Sequence, residues 1–296
     1  MNKNNQLFLG SLLALSLTSL SVQAANINTV FSWETADYDT PANYSGYRLD
    51  ININPTKSNW YFDAGLRQRE ADNNSRYQRL DLQAGYRYKI NNGWIQPSFK
   101  VRQDITTYEN GNRLTVDFYS TKTSYYYNLS NSWALAGSGM FSIEKKEDLN
   151  QKKGLTTNTD YLSWEFEPGI RYFITPNINT TLAYFQSGKH ANKQDAFDNR
   201  ELQRNQQVRL YLNWNTPIGL VISPSTRQSV FGEITERNAQ GEIIKKDMSR
   251  YTLQLAYPIN NQWRLMTEYY HEKIKTKDSD KKTAYDYFKV SVRASF

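Results

Sequence analysis

Along most of the chain, polar and apolar residues alternate with a period of two. In the last segment Phe288, Val290, Val292, Ala294 and Phe296 fall on one side, while Tyr287, Lys289, Ser291, Arg293 and Ser295 fall on the other. Leu80, Leu82, Ala84, Tyr86 and Tyr88 stand in the same way against Arg79, Asp81, Gln83, Arg87 and Lys89. Val208, Leu210, Leu212 and Trp214 oppose Arg209, Tyr211 and Asn213, and Tyr251, Leu253, Leu255 and Tyr257 oppose Arg250, Thr252 and Gln254. An α-helix would scatter these positions around its circumference, whereas successive side chains of a strand point to opposite faces. The pattern predicts strands from one end of the mature chain to the other.

Two kinds of connection separate them. Asn54–Asn59, Asn91–Gly93, Asn128–Asn131, Thr175–Asn177, Asn215–Pro217 and Pro258–Asn261 are short and carry the Asn, Pro, Gly and Ser of tight turns. Asp148–Asn158, Gly188–Arg200, Glu236–Lys246 and Lys275–Lys282 are charged and read as long loops. Six tight turns interleaved with seven longer loops predict about fourteen strands in an all-β, antiparallel up-and-down barrel, with short periplasmic turns, long extracellular loops and both termini on one side. Pro97, Pro168 and Pro224 fall inside strands, where the missing N–H predicts a bulge or a local gap. Gly219–Thr235 carries the weakest strand pattern.

Composition decides what the two faces meet. The 296 residues include 22 Tyr, 13 Phe and 7 Trp, yet 22% are charged and mean hydropathy is −0.76. A transmembrane barrel produces this mixture, because lipid-facing and lumen-facing residues alternate and the average cancels. Trp60, Trp94, Trp133, Trp214 and Trp263, with Tyr88, Tyr127, Tyr172 and Tyr257, sit beside the tight turns and predict an aromatic girdle at the periplasmic face. The apolar parity then has outer-membrane lipid as its partner. Upstream, Lys3, the apolar stretch Leu7–Leu20 and Val22-Gln23-Ala24 have the build of a cleaved signal peptide over residues 1–24, leaving a barrel of residues 25–296. Gly10, Ser11, Ser16 and Ser19 dilute that stretch below the roughly 20 apolar residues of a spanning helix. Cysteine is absent, which excludes disulfides and thiolate chemistry. The net charge of +7 is spread singly along the strands and not in basic runs, so nucleic-acid binding is not expected.

Some membrane barrels are enzymes, and such chemistry needs a nucleophile, a base and an orienting group brought together. His190 lies in a polar stretch beside Lys189 and Lys193, and His271 follows Tyr269 and Tyr270 on the outward parity. Neither has a Ser or Asp two residues away, so no nucleophile, base and orienter converge. Glu165 and Glu167 share a strand face with Arg171, where lining of a wet lumen is a simpler reading than an acid–base pair. No phosphate loop or metal-ligand spacing occurs and no cofactor is expected.

If the apolar parity faces lipid, the inner wall of the first half carries Arg48, Asp50, Asp63, Arg67, Arg69, Arg79, Asp81, Arg87, Lys89, Lys100, Arg102, Asp104, Arg113 and Asp117. In the second half it carries Glu144, Glu165, Glu167, Arg171, Arg209, Tyr211, Arg250, Arg264, Glu268, Glu272, Lys289 and Arg293. Each Arg or Lys turned to mid-membrane lipid would cost roughly 2–4 kcal/mol, so these positions face water. Eight strands leave room only for side chains and sixteen leave a channel, so fourteen predict a lumen open to small solutes. Arginines gathered on strands three to five predict modest anion preference, lowered by neutralising Arg67, Arg79 and Arg102.

Several segments resemble the outer membrane protein G type of monomeric, fourteen-stranded porins. Glu165-Phe166-Glu167-Pro168-Gly169-Ile170-Arg171-Tyr172 looks like that family's Glu-x-Glu-x-Gly strand. Arg209-Leu210-Tyr211-Leu212, Ser223-Pro224-Ser225-Thr226-Arg227, and Asp278-Ser279-Asp280-Lys281 ahead of the Phe-ending strand resemble its later segments. The resemblance implies a monomeric pore for small hydrophilic solutes, oligosaccharides included, with a mobile outer loop, placed at Glu236–Lys246. Neither His190 nor His271 occupies the place of the family's pH-responsive histidine pair. Tyr211 and Tyr287, on the inner parity, offer stacking to sugar rings. Two other readings stand beside the general pore: a channel selective for acidic oligosaccharides, similar to oligogalacturonate porins, and a non-conducting barrel whose loops bind a surface partner.

Overall fold

The computed structural model describes residues 25–38, 43–191, 201–230, 234–237, 242–277, 279 and 282–296. The proposed signal segment lies outside them. Sixteen strand segments run β1 (Ala25–Tyr38), β2 (Tyr44–Pro55), β3 (Trp60–Ala71), β4 (Arg76–Tyr86), β5 (Tyr88–Ile90), β6 (Gly93–Thr107), β7 (Arg113–Asn128) and β8 (Trp133–Asn150). They continue as β9 (Leu155–Thr175), β10 (Ile178–Ala191), β11 (Glu201–Asn215), β12 (Val221–Ser229), β13 (Ile234–Arg237), β14 (Ile243–Pro258), β15 (Trp263–Thr276) and β16 (Lys282–Ser295). β4 with β5, and β12 with β13, each form one interrupted stave, so the barrel has fourteen staves.

Every stave pairs antiparallel with its sequence neighbours, and β1 pairs with β16 from Asn28 with Ser295 to Tyr38 with Tyr285. That last pairing closes the sheet and leaves no edge of unpaired backbone in the lipid, where each bare N–H or C=O would cost several kcal/mol. The outward parity is apolar. On β8, Trp133, Leu135, Phe141 and Ile143 are exposed around Gly137 and Gly139. The ten steps from Trp133 to Ile143, at about 3.3 Å each and tilted about 40°, climb about 25 Å, the height of an outer-membrane apolar band. Above it the outward parity turns polar at Gln68 and its partner Gln78, and at Gln103 and its partner Asp117.

The three internal prolines make gaps, not bulges. Pro97 faces the break between β4 and β5, Pro168 the missing pairs between Ala183–Gly169 and Gln186–Phe166, and Pro224 those between Tyr211–Ser225 and Trp214–Ile222. In each case the ladder resumes in the same register. A proline removes one donor on one side of its strand, and the other neighbour keeps pairing, as Pro97 does with Thr123, Pro168 with Gly137 and Pro224 with Leu253.

Three expectations are corrected. Asp148–Asn158 is mostly strand, closed by the short turn Gln151–Gly154; its charged residues are polar because the staves continue past the bilayer into water. His190, expected in a loop, ends the ladder of β10. Within Glu236–Lys246, Glu236 and Arg237 pair with Ile244 and Ile243, and Lys246 bonds Glu236; residues 238–241 lie outside the described ones.

Candidate functional site: the barrel lumen

Of the predicted inner-wall residues, Arg48, Asp63, Arg67, Arg69, Arg79, Asp81, Arg87, Lys100, Arg102, Asp104, Glu165, Glu167, Arg171, Arg209, Tyr211, Arg250, Arg264, Glu268, Lys289 and Arg293 stand on the inward side. Arg113 and Asp117 do not. Both share the outward parity of Tyr119 and Tyr127, and Asp117 accepts from Gln103 at 2.9 Å beside its partner Lys145. This part of β7 stands above the apolar band, where outward positions meet headgroups and water, so charge ceases to report facing. Trp94 is a second correction. It points inward at the periplasmic end, stacked on Tyr126 at 6.2 Å with the Arg87 guanidinium 4.9 Å from its ring, while Trp60, Trp133, Trp214 and Trp263 are exposed on the outer surface.

The charged side chains lie along the wall. Glu34, wholly buried, accepts from Arg69 Nε at 2.6 Å and from the Tyr287 hydroxyl at 2.8 Å, with Arg67 Nε at 3.4 Å. Gly46, between them on β2, makes the crossing possible: a Cβ there would stand 2.2 Å from the Gln68 carbonyl oxygen and 2.8 Å from Arg69 Cγ. Arg79 meets Asp104 at 2.7 Å, Lys100 meets Asp81 at 2.6 Å, and Arg48 meets Asp50 at 2.5 Å. Farther round, Arg209 meets Glu167 at 2.9 Å, Lys189 meets Glu144 at 2.5 Å, Arg250 Nε meets Glu272 at 2.5 Å, and Lys289 meets Glu268 at 2.6 Å. Each pair joins the same stave, adjacent staves, or staves two apart. None of these pairs reaches across the lumen, so the inner surface is a braced wall around a bore and not an interlocked plug.

Tyrosines brace one sector. Tyr287 stacks on Tyr270 at 4.6 Å, Tyr270 meets Tyr285 edge-on at 5.7 Å, and Tyr285 stacks on Tyr38 at 4.7 Å. Arg69 lies 4.3 Å from the Tyr44 ring and Arg250 4.3 Å from that of Tyr270, geometry that favours the cation over the ring face. Tyr287, expected to offer a stacking face to sugars, is buried under these neighbours and offers none; Tyr211 donates to Glu167 at 2.7 Å. Below this belt, cavities of about 330, 440 and 310 Å³ follow one another. The first and third share Ser223, Gln254 and Glu268, and the second and third share Val30, Arg48, Asp50 and Met266, so the three adjoin one another within the bore.

Sequence reasoning missed Glu34 and Arg227. Glu34 alternates with outward Phe31 and Trp33, so the period-two rule would have found it. Arg227 lies on the stave whose pattern Pro224 obscures. Among the described residues no cluster of three metal-ligating side chains occurs.

Solved structures with this architecture include the Pseudomonas putida toluene transporter TodX, at 10% identity, covering 94% of this chain and 90% of that one with a TM-score of 0.58. A Pseudomonas aeruginosa FadL homologue matches at 6% identity over 93% and 90%, with a TM-score of 0.57. The CymD monoaromatic hydrocarbon channel matches at 8% identity over 92% and 88%, also with a TM-score of 0.57. At such identities the likeness shows the fold alone. No curated protein matches in sequence. The model of the OMPG-porin 1 family matches residues 82–295, running from β4 to the end of β16, and the chain therefore belongs to this family of outer-membrane channel-forming barrels.

Proposed function

We propose that the barrel is a passive, water-filled channel for small hydrophilic solutes, sugars among them, and that it works as a monomer after cleavage of a signal peptide behind Ala24. The observation that carries this reading is the direction of the lumen contacts. Inward arginines, lysines and carboxylates neutralise one another along the wall, within two staves, which leaves the axis to water. Fully desolvated ions would need tighter and more complete pairing than Arg67 and Arg227 receive. Polar walls with few obligatory contacts discriminate by size and charge, which suits diffusion of many solutes better than tight binding of one.

The test is single-channel recording of the refolded mature chain in a planar bilayer, paired with swelling of liposomes in sugars of graded size. Steady conductance and swelling that falls off with sugar size are expected. Electrical silence from a demonstrably folded barrel would overturn the reading and move attention to the outer loops.

A further inference from the structure

Two rows of three arginines line the bore in register. Arg48, Arg67 and Arg79 are successive partners on β2, β3 and β4. Arg209, Arg227 and Arg250 are successive partners on β11, β12 and β14. Like charges directly opposite on neighbouring strands repel, so such rows are destabilising unless something negative offsets them.

In each row the outer members have a carboxylate and the middle one is short of it. Arg48 has Asp50 and Arg79 has Asp104, while Arg67 reaches only to 3.4 Å from Glu34, which Arg69 and Tyr287 already occupy. Arg209 has Glu167 and Arg250 has Glu272, while Arg227 has no carboxylate in ion-pair range among the described residues. The Nε atoms of both Arg67 and Arg227 are buried without a hydrogen-bond partner.

The two rows stand on opposing walls, and at one height. Ladder partners climb as the tilted staves turn: from Arg48 the row rises through Arg67, Arg79, Asp104, Val116 and Lys146 to Thr159, near the outer end of β9. In the other direction it descends through Ser32, Ser291, Met266 and Ala256 to Val221, the first residue of β12. Carried on from Val221 through Asn215 and the turn at Asn177, the row returns to β9 near Thr175, about sixteen positions below Thr159 after a full round of fourteen staves, so it climbs slightly more than one residue per stave. Five staves from β2, the residue level with Arg48 therefore lies about six positions above Val221, at Arg227. Eight stave steps separate the centres of the two rows one way round and six the other, by the order of the sheet.

We infer that Arg67 and Arg227 are facing anion subsites of a constriction, and that the channel favours sugars bearing carboxylates. This deepens the channel reading and rests on it. A planar guanidinium that no wall carboxylate neutralises can meet a solute carboxylate in a two-point contact through its terminal nitrogens, and the like-charge repulsion in each row is relieved when that carboxylate arrives. Neutral sugars gain neither. Glu165, inward on β9 and without an ion-pair partner among the described residues, sets the opposite preference at one place on the ring and limits how long an anion stays.

The test records current through the full mature barrel with maltose or digalacturonate added. Digalacturonate is expected to block at concentrations about tenfold lower than maltose, and Arg67→Gln or Arg227→Gln each to raise its blocking concentration about tenfold, the loss of one charge-assisted contact. Arg113→Gln, outward on β7 above the apolar band, is expected to leave the block unchanged. Equal block by both sugars in the parent channel, or block by digalacturonate that survives both substitutions in conducting variants, would overturn the inference while leaving the channel intact. If a variant fails to refold, the reversal potential of Arg227→Lys in a KCl gradient decides instead. The inference expects anion preference to persist with weakened digalacturonate block, because lysine keeps the charge and loses the fork; unweakened block would sink it.

Discussion

The wall from β14 through β16 to β4 and the wall from β7 to β10 hold their charges flat by different means. The first stacks tyrosines, with one edge-on contact, so that Arg69 and Arg250 are clamped between rings and carboxylates. The second is a shelf of small inward residues, Ala134, Ala136, Ser138, Ser142, Thr181 and Ala183, over which long side chains from adjoining staves lie down. Arg171 thus donates to the Thr181 hydroxyl at 3.0 Å, and Arg209 rests 3.5 Å from the Phe185 ring centroid. One wall fixes its arginines among stacked tyrosines, the other lays them over small residues with a single ring, Phe185, beneath Arg209. A bore of a given strand number is set as much by this choice as by the backbone.

The difference can be broken from the clamped side first. Glu34→Gln removes the carboxylate that holds Arg67, Arg69 and Tyr287 together across three staves, and breaking a buried pair typically costs 3–5 kcal/mol. Because the two arginines retain partial access to the lumen, a loss of about 3 kcal/mol is expected, read as a lower urea midpoint for unfolding from lipid. An unchanged midpoint would mean that the tyrosine stack alone braces this wall.

The shelf is tested by filling it. Ser138→Trp places an indole where the cavity now meets Ala136, Gly137 and Arg171, and conductance is expected to fall to roughly half with stability little altered, since the ring takes up bore volume. The same substitution leaving conductance intact would show that this sector does not carry the current. A smaller effect is expected from Pro168→Val, which restores a donor facing Tyr184 in an outward, lipid-side position and repairs a ladder gap: about 1 kcal/mol of added stability and no change in conductance. Destabilisation would show that the gap relieves strain in the curved sheet.

The corrected residues show where sequence reasoning stops. Period two placed Arg67, Arg209 and Glu167 inward because, within the apolar band, the alternative is a charge in lipid. Arg113 and Asp117 escaped that rule because β7 outruns the bilayer, and both faces of a stave are wet there. Trp94 escaped the girdle because inner-rim residues also gather near tight turns, and only parity counted against neighbouring strands separates the two.

The sequence by itself determined the class, the approximate number of staves and the facing of most side chains, since each follows from local alternation and from the cost of charge or bare backbone in lipid. Tertiary structure alone decided who stands beside whom. That Arg227 falls between Arg209 and Arg250, that Gly46 clears a path from Arg69 to Glu34, and that two arginine rows meet at one height depend on register and stave tilt, which are properties of the closed sheet. No single strand contains them, because a one-residue slip between neighbours would keep every local pattern plausible while changing every partner.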